Sequence, residues 1–197
     1  MEIVAVNGQK RVGLGKKETK AVRNEGLIPC VLYGGDEVVH FSTTLNDIRG
    51  VVYTPDFKIA ELTVEGKAYR AILKDVQWHP VTDSIVHIDF LRLVEGNAIK
   101  VEVPLRFTGV SPGVRAGGKL QQKLRRVLIK TTPEHLISEM SVDISKLELG
   151  QSIRVRDIVV EEPGIEIMNS PGVPVATIEI PRALRSATAA AEKAAGK

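Results

Sequence analysis

Residues 74–90, KDVQWHPVTDSIVHIDF, gather two histidines, a glutamine and three aspartates into an otherwise apolar segment. Such side chains can bind a metal, move protons, or exchange hydrogen bonds with nucleobases. Parity sorts them, because successive side chains along a strand point to opposite faces. Pro80–Ser84 is rich in turn residues and reads as a hairpin loop. Around it Val76, Trp78, Val86, Ile88 and Phe90 share one apolar face. Asp75, Gln77, His79, Ile85, His87 and Asp89 share the other. A loop centred on Thr82 sets Gln77 opposite His87, His79 opposite Ile85, and Asp75 opposite Asp89. One face is expected to pack a core while the other displays polar groups.

Three chemistries compete for that polar face. His79, His87 and Asp89 could form a three-ligand site of the kind catalytic zinc uses, which keeps a metal-dependent hydrolase open. No HExxH motif or cysteine pair accompanies them. Nucleophilic catalysis has less support. Ser84 lies in the loop without nucleophile-elbow glycines, and Cys30 sits in an apolar strand. GVRAGGKL at 113–120 lacks P-loop spacing and reads as a β-turn. RNA reading fits better, because RNA sites combine phosphate anchors with groups that address base edges and 2′-hydroxyls. Asp89 discriminates here. A carboxylate facing a polyanion is repelled unless it accepts hydrogen bonds from amino, imino or hydroxyl donors. A protein-binding module on the same scaffold stays open too.

The elements that must hold these residues are mostly strands. Residues 2–7 read as a strand. A helix follows over about 18–25, closed by Gly26. Within it Lys16, Lys20 and Arg23 have i, i+4, i+7 spacing and align if the helix starts early enough. They belong to KRVGLGKKETKAVR (10–23), where six Lys/Arg face one Glu. Strands follow at 28–33 and 37–41, then a capped helix from Thr44, then strands near 57–65 and 67–76 joined at Glu65-Gly66. Short strands with minor helices point to a small barrel or closed sheet. VEGNA (94–98) marks a boundary. Beyond it IKVEVPLRF, RRVLIKTT and PVATIEI predict a second β-rich domain. The expected division is 1–94, 95–182, and an Ala-rich tail, 183–197, expected to be disordered.

Composition sets the outer bounds. The chain has 197 residues, 43% apolar and 26% charged, with a net charge of +3, as in a globular protein. No apolar run is long enough for a transmembrane helix, and the N-terminus lacks a secretory pattern. One cysteine cannot form an internal disulfide, so a reducing cytoplasm is the expected compartment.

Three blocks, RVGLGKKETKAVRNEGLIPCVLYGG (11–35), LKDVQWHP (73–80) and IVHIDFLRL (85–93), resemble the bacterial large-subunit ribosomal protein twenty-five family. These are 5S rRNA-binding proteins also known as Ctc. The later segments VEVPLRFTGVSPGVRAGGKLQQ and VDISKLELGQSIRVRDI are similar to the second domain of longer members. The resemblance spans about residues 1–182. It implies a mainly β protein with minor helices: a six-stranded N-terminal β-barrel that binds the loop E region of 5S rRNA, then a β-rich C-terminal domain. It also implies a ribosomal constituent with no catalytic residues, no cofactor, no membrane and no small-molecule substrate. Positions matching the family's RNA-facing motif are Arg11, Lys16, Lys20, Arg23, Tyr33, Gln77, His79, His87 and Asp89. Lys17 stands where the family often has glycine, and Ala21 where it tends to be basic, which weakens the transfer for that helix. Lys119, Lys123, Arg125 and Arg126 are candidates for touching neighbouring large-subunit components.

Overall fold

The computed structural model describes residues 1–160 and 162–181. The tail expected from Ala183 onward lies outside the described residues. Two compact units are present, one built from Met1–Val101 with Thr131–Ser138 and one from the rest of the described chain.

Six strands close a barrel in the first unit: β1 (Ile3–Lys10), β2 (Leu27–Tyr33), β3 (Val39–Thr44), β4 (Ile59–Val64), β5 (Lys67–Trp78) and β6 (Ile85–Arg92). Their order around the wall is β1-β3-β2-β6-β5-β4. The pairs β1–β4 and β2–β6 are parallel and the others antiparallel. Closure leaves no free edge, which suits a sheet whose outer face is polar. Inside, Phe41 and Phe90 are fully buried with ring centroids 5.9 Å apart. Val6, Cys30, Leu32, Leu62 and Ile88 complete the packing. Burying each large apolar side chain contributes about 1.5–3 kcal/mol, so alternation along the strands is the main force fixing their faces. Gly8 lets β1 approach Phe41, since an added Cβ would stand 2.5 Å from that ring.

Local signals set the connections. Glu65 and Gly66 both have positive φ, as a two-residue hairpin between β4 and β5 requires. Helix α1 (Lys16–Asn24) starts where Glu18 Oε2 accepts from the Gly15 N–H at 2.9 Å. It stops at Gly26, whose φ of +79° suits a residue without a Cβ. The start at Lys16 is two residues earlier than the apolar pattern predicts. Helix α2 (Leu45–Val52) is capped by Thr44, whose Oγ1 accepts from the Asp47 N–H, and it buries Ile48 and Val51 in the barrel core.

The second unit is also β-rich. Two sheets form, β10-β7-β9-β12 and β11-β13-β8. Their strands are β7 (Ile99–Thr108), β8 (Lys119–Gln122), β9 (Arg126–Thr131), β10 (Met140–Asp143), β11 (Ser152–Arg154), β12 (Glu166–Ile167) and β13 (Pro174–Glu179). The expected β-turn at 113–120 is instead preceded by one helical turn, α3 (Pro112–Arg115). Ser111 caps it, accepting from the Gly113 and Val114 N–H groups. Pro at the first helical position and Ser before it favour that start over a bare turn.

Candidate nucleic-acid interface

The polar hairpin forms with the expected register through its middle: Asp75 opposite Asp89, Val76 opposite Ile88, and Gln77 opposite His87. Two one-residue shifts bracket that stretch. Leu73 pairs with Phe90, so Lys74 is an extra residue on β5. Trp78 pairs with Ile85, so Val86 is an extra residue on β6. The second shift corrects two expectations. His79 is not opposite Ile85, and the apolar face does not run through Trp78. Instead Ile85 is buried and Trp78 is exposed. The inserted Val86 reverses the alternation of β6 beyond it and turns Ile85 into the core, while Trp78 keeps its parity on β5 and is exposed where that strand ends.

The extra residue has a partner. Arg23 Nε, on α1, donates to the Val86 carbonyl at 3.1 Å. Helix and hairpin are thereby tied together, and Arg23 keeps its remaining guanidinium nitrogens for other contacts.

Both histidines are oriented, in opposite senses. His87 Nδ1 lies 2.7 Å from Asp89 Oδ1, with both side chains about a quarter exposed. The carboxylate accepts a hydrogen bond from Nδ1–H, so neutral His87 presents an acceptor at Nε2 and protonated His87 a donor. His79 Nδ1 accepts from the Val81 and Thr82 N–H groups, each at 3.3 Å. Its proton therefore belongs on Nε2, which becomes a donor. The hairpin is closed behind it by His79 N–H to Ser84 O at 2.8 Å and Asp83 N–H to His79 O at 3.0 Å.

Tyr33 joins the same wall. In the parallel β2–β6 pair Val31 is opposite Asp89, and Tyr33 follows two residues on, sharing that outer face. Its phenol pKa is raised by burial first, then by Asp89 and Asp75, which keeps the hydroxyl protonated as a donor. The face thus holds the Tyr33 hydroxyl, the Gln77 amide, the His87 ring and two carboxylates. Groups of both polarities are fixed on a rigid barrel wall, which suits recognition of base edges and hydroxyls.

The basic residues divide. Lys16 and Lys20 are exposed on α1 at the expected spacing. Arg11 is half-buried and turned to structural work. Its Nη2 donates to Gly13 O at 3.2 Å and Thr19 Oγ1 at 3.0 Å, fixing the loop before α1. Its buried Nε has no partner among the described residues. The structure does not assemble His79, His87 and Asp89 into a ligand set. The lone pair of His79 Nδ1 is turned into its own loop, and no group of three His, Cys, Asp or Glu able to hold a metal occurs among the described residues. In the second unit Lys119, Lys123, Arg125 and Arg126 are exposed, with Lys123 3.6 Å from Glu179.

Comparison with known proteins adds two family matches. Residues 6–90 match the Ribosomal L25p family, and residues 98–182 match the C-terminal domain of ribosomal protein TL5. Among similar proteins, the large ribosomal subunit protein bL25 of Bacteroides fragilis is 41% identical over 174 residues, 88% of each chain. That of Cytophaga hutchinsonii is 39% identical over 193 residues, covering 98% of this chain and all of its own. That of Porphyromonas gingivalis is 40% identical over 189 residues, 95% of this chain and 97% of its own.

Proposed function

The chain belongs to the Ribosomal L25p family, and from that premise we propose that it binds the loop E region of 5S rRNA and stabilises its docking. Its relatives are named large ribosomal subunit protein bL25, and the chain is accordingly a structural protein of the bacterial large ribosomal subunit, not an enzyme, and works on the ribosome in the cytoplasm. The observation that carries the finer reading is the outer wall of β2, β6 and β5. There Tyr33, Gln77, His87 and Asp89 stand together, with His87 locked by Asp89.

The roles follow from the chemistry. Lys16, Lys20 and Arg23 pair with phosphates and set the position of α1 on the RNA, while carrying no sequence information. Gln77 offers both a donor and an acceptor. His79 donates through Nε2, neutral His87 accepts through Nε2, and Asp89 accepts through the oxygen that His87 leaves free. A fixed mixture of donors and acceptors rejects a helix whose groups do not match, because buried polar atoms would be left unpaired. Arg11 supports this set from behind by holding the loop before α1. Residues 1–94 are proposed as the binding domain. The second unit, through Lys119, Lys123, Arg125 and Arg126, is proposed to touch neighbouring subunit components.

Titrating the full chain against a loop E fragment and a fully paired duplex of equal length, at two salt concentrations, tests this. Preference for loop E that survives the higher salt supports base reading by the wall. Equal affinity for both RNAs reduces the face to a phosphate-binding surface.

A further inference from the structure

Trp78 breaks the pattern of its own strand. It is the chain's only tryptophan, and it is 45% exposed although its position continues the core-facing series. The shift at Val86 hands the core position to Ile85 and leaves the indole at the end of the barrel wall. There it meets Tyr53, just past α2, edge to face, with ring centroids 5.8 Å apart and planes at 73°. Tyr53 is itself 53% exposed. Two half-exposed rings holding each other edge-on keep a flat π surface in a fixed orientation.

We propose that Trp78, braced by Tyr53, stacks on an unpaired nucleobase of the RNA that the hairpin contacts. This rests on the RNA-binding reading and extends it to a separate contact. Continuity carries the argument. Gln77 and His79 flank Trp78 in the chain. The indole alternates to the face opposite Gln77, but β5 ends at Trp78 and that face is open to solvent there, so RNA that follows the hairpin past His79 around the end of the barrel meets the indole. A paired helix offers grooves and backbone. Only a base out of its stack presents a face to a ring, and aromatic stacking is the usual way proteins take one. A protein occupant fits less well. The loop that follows Trp78 is exposed throughout, Pro80 and Val81 as well as Thr82, Asp83 and Ser84, whereas protein hot spots centre on apolar, desolvated pockets.

Because Trp78 is unique, its emission reports on the site directly. The full chain is titrated with intact 5S rRNA while two signals are followed: anisotropy of end-labelled RNA for binding, and Trp78 emission for stacking. Emission should be quenched in step with the anisotropy, and acrylamide access should fall. Trp78→Ala should weaken binding roughly 5- to 150-fold, the range for loss of one base stack, while Trp78→Phe should retain most of the affinity. Binding without quenching, together with wild-type affinity in Trp78→Ala, overturns the stacking inference and leaves the RNA-binding reading intact. Absence of any anisotropy change overturns both. Emission that responds to large-subunit proteins but not to 5S rRNA assigns the rings to a protein partner and overturns the inference. Quenching is read on the unmodified protein, so the result stands even if Trp78→Ala folds poorly.

Discussion

Replacing Asp89 with Ala and with Asn separates two physical accounts of the hairpin. In the free protein this carboxylate faces Asp75 across the strands and accepts from His87 Nδ1 at 2.7 Å. Like charges directly opposite destabilise a strand pair by about 0.2–1 kcal/mol. The hydrogen bond to a charged acceptor is worth about 1.5–3 kcal/mol. Asp89→Asn relieves the repulsion and keeps an oxygen for His87, so its melting temperature should equal or slightly exceed wild type. Asp89→Ala relieves the repulsion but loses the bond, and the larger quantity wins, so it should be less stable by about 1 kcal/mol or somewhat more. On RNA, Ala also removes the acceptor for base or hydroxyl donors and releases the His87 ring. A loss of about 1.5–3 kcal/mol corresponds to roughly 10- to 150-fold weaker binding. Asn should fall between wild type and Ala. Simple electrostatics predicts the opposite order, since deleting a negative charge beside phosphates should tighten binding. Thermal melts confirm folding, and titration on the loop E fragment decides. Asp89→Ala binding as tightly as wild type, or more tightly, removes Asp89 from the reading set.

Further outcomes follow from the same geometry. With Arg11 engaged in its loop, about three phosphates remain for Lys16, Lys20 and Arg23, so affinity should fall roughly 20- to 40-fold between 50 and 200 mM salt. A flat response in the titration would remove the phosphate role of α1. Residues 1–94 contain all six barrel strands, so that fragment should give a cooperative melt and bind 5S rRNA within tenfold of the full chain. Gly8→Ala should lower stability by about 1–3 kcal/mol in urea unfolding, because the new Cβ meets the buried Phe41 ring. Cys30 is pushed well above the ordinary thiol range, chiefly by burial, with Arg11 opposing and Asp89 adding. A raised value means that the folded state holds the proton more tightly. That stability is intact below the unfolded thiol pKa of about 8.5 and declines above it. Unfolding midpoints between pH 7.5 and 10 should therefore fall more steeply for wild type than for Cys30→Ala.

Much of the barrel was legible because alternation, turn residues and caps agree with one another. Thr44 opens α2, Gly26 closes α1, and Glu65-Gly66 turns β4 into β5. Counting outward from Thr82 even placed Asp75 opposite Asp89. What the strand pattern hides are the two inserted residues, Lys74 and Val86. They lie on opposite strands and offset each other, so the register is the same on either side of the stretch between them. The insertion at Val86 turns Ile85 into the core opposite Trp78. The Val86 carbonyl is met by Arg23, 63 residues away in sequence, a contact that no local period encodes. The bonds of Arg11 were hidden for a similar reason. Its charge marks it as a phosphate anchor, while its work inside the Gly13–Thr19 loop depends on how that loop folds. The pairing of His87 with Asp89 was foreshadowed by strand spacing, since residues two apart share a face. The tautomers were not, because they depend on which nitrogen each partner occupies.

Hydroxyl-radical footprinting of intact 5S rRNA, with and without the full chain, tests the central claim most directly. Binding through the β2-β6-β5 wall and α1 predicts protection concentrated on loop E and its flanking helices, reduced by Asp89→Ala and by Lys16→Ala/Lys20→Ala. Protection confined to another part of the RNA, or no protection at concentrations that saturate the large subunit, contradicts it.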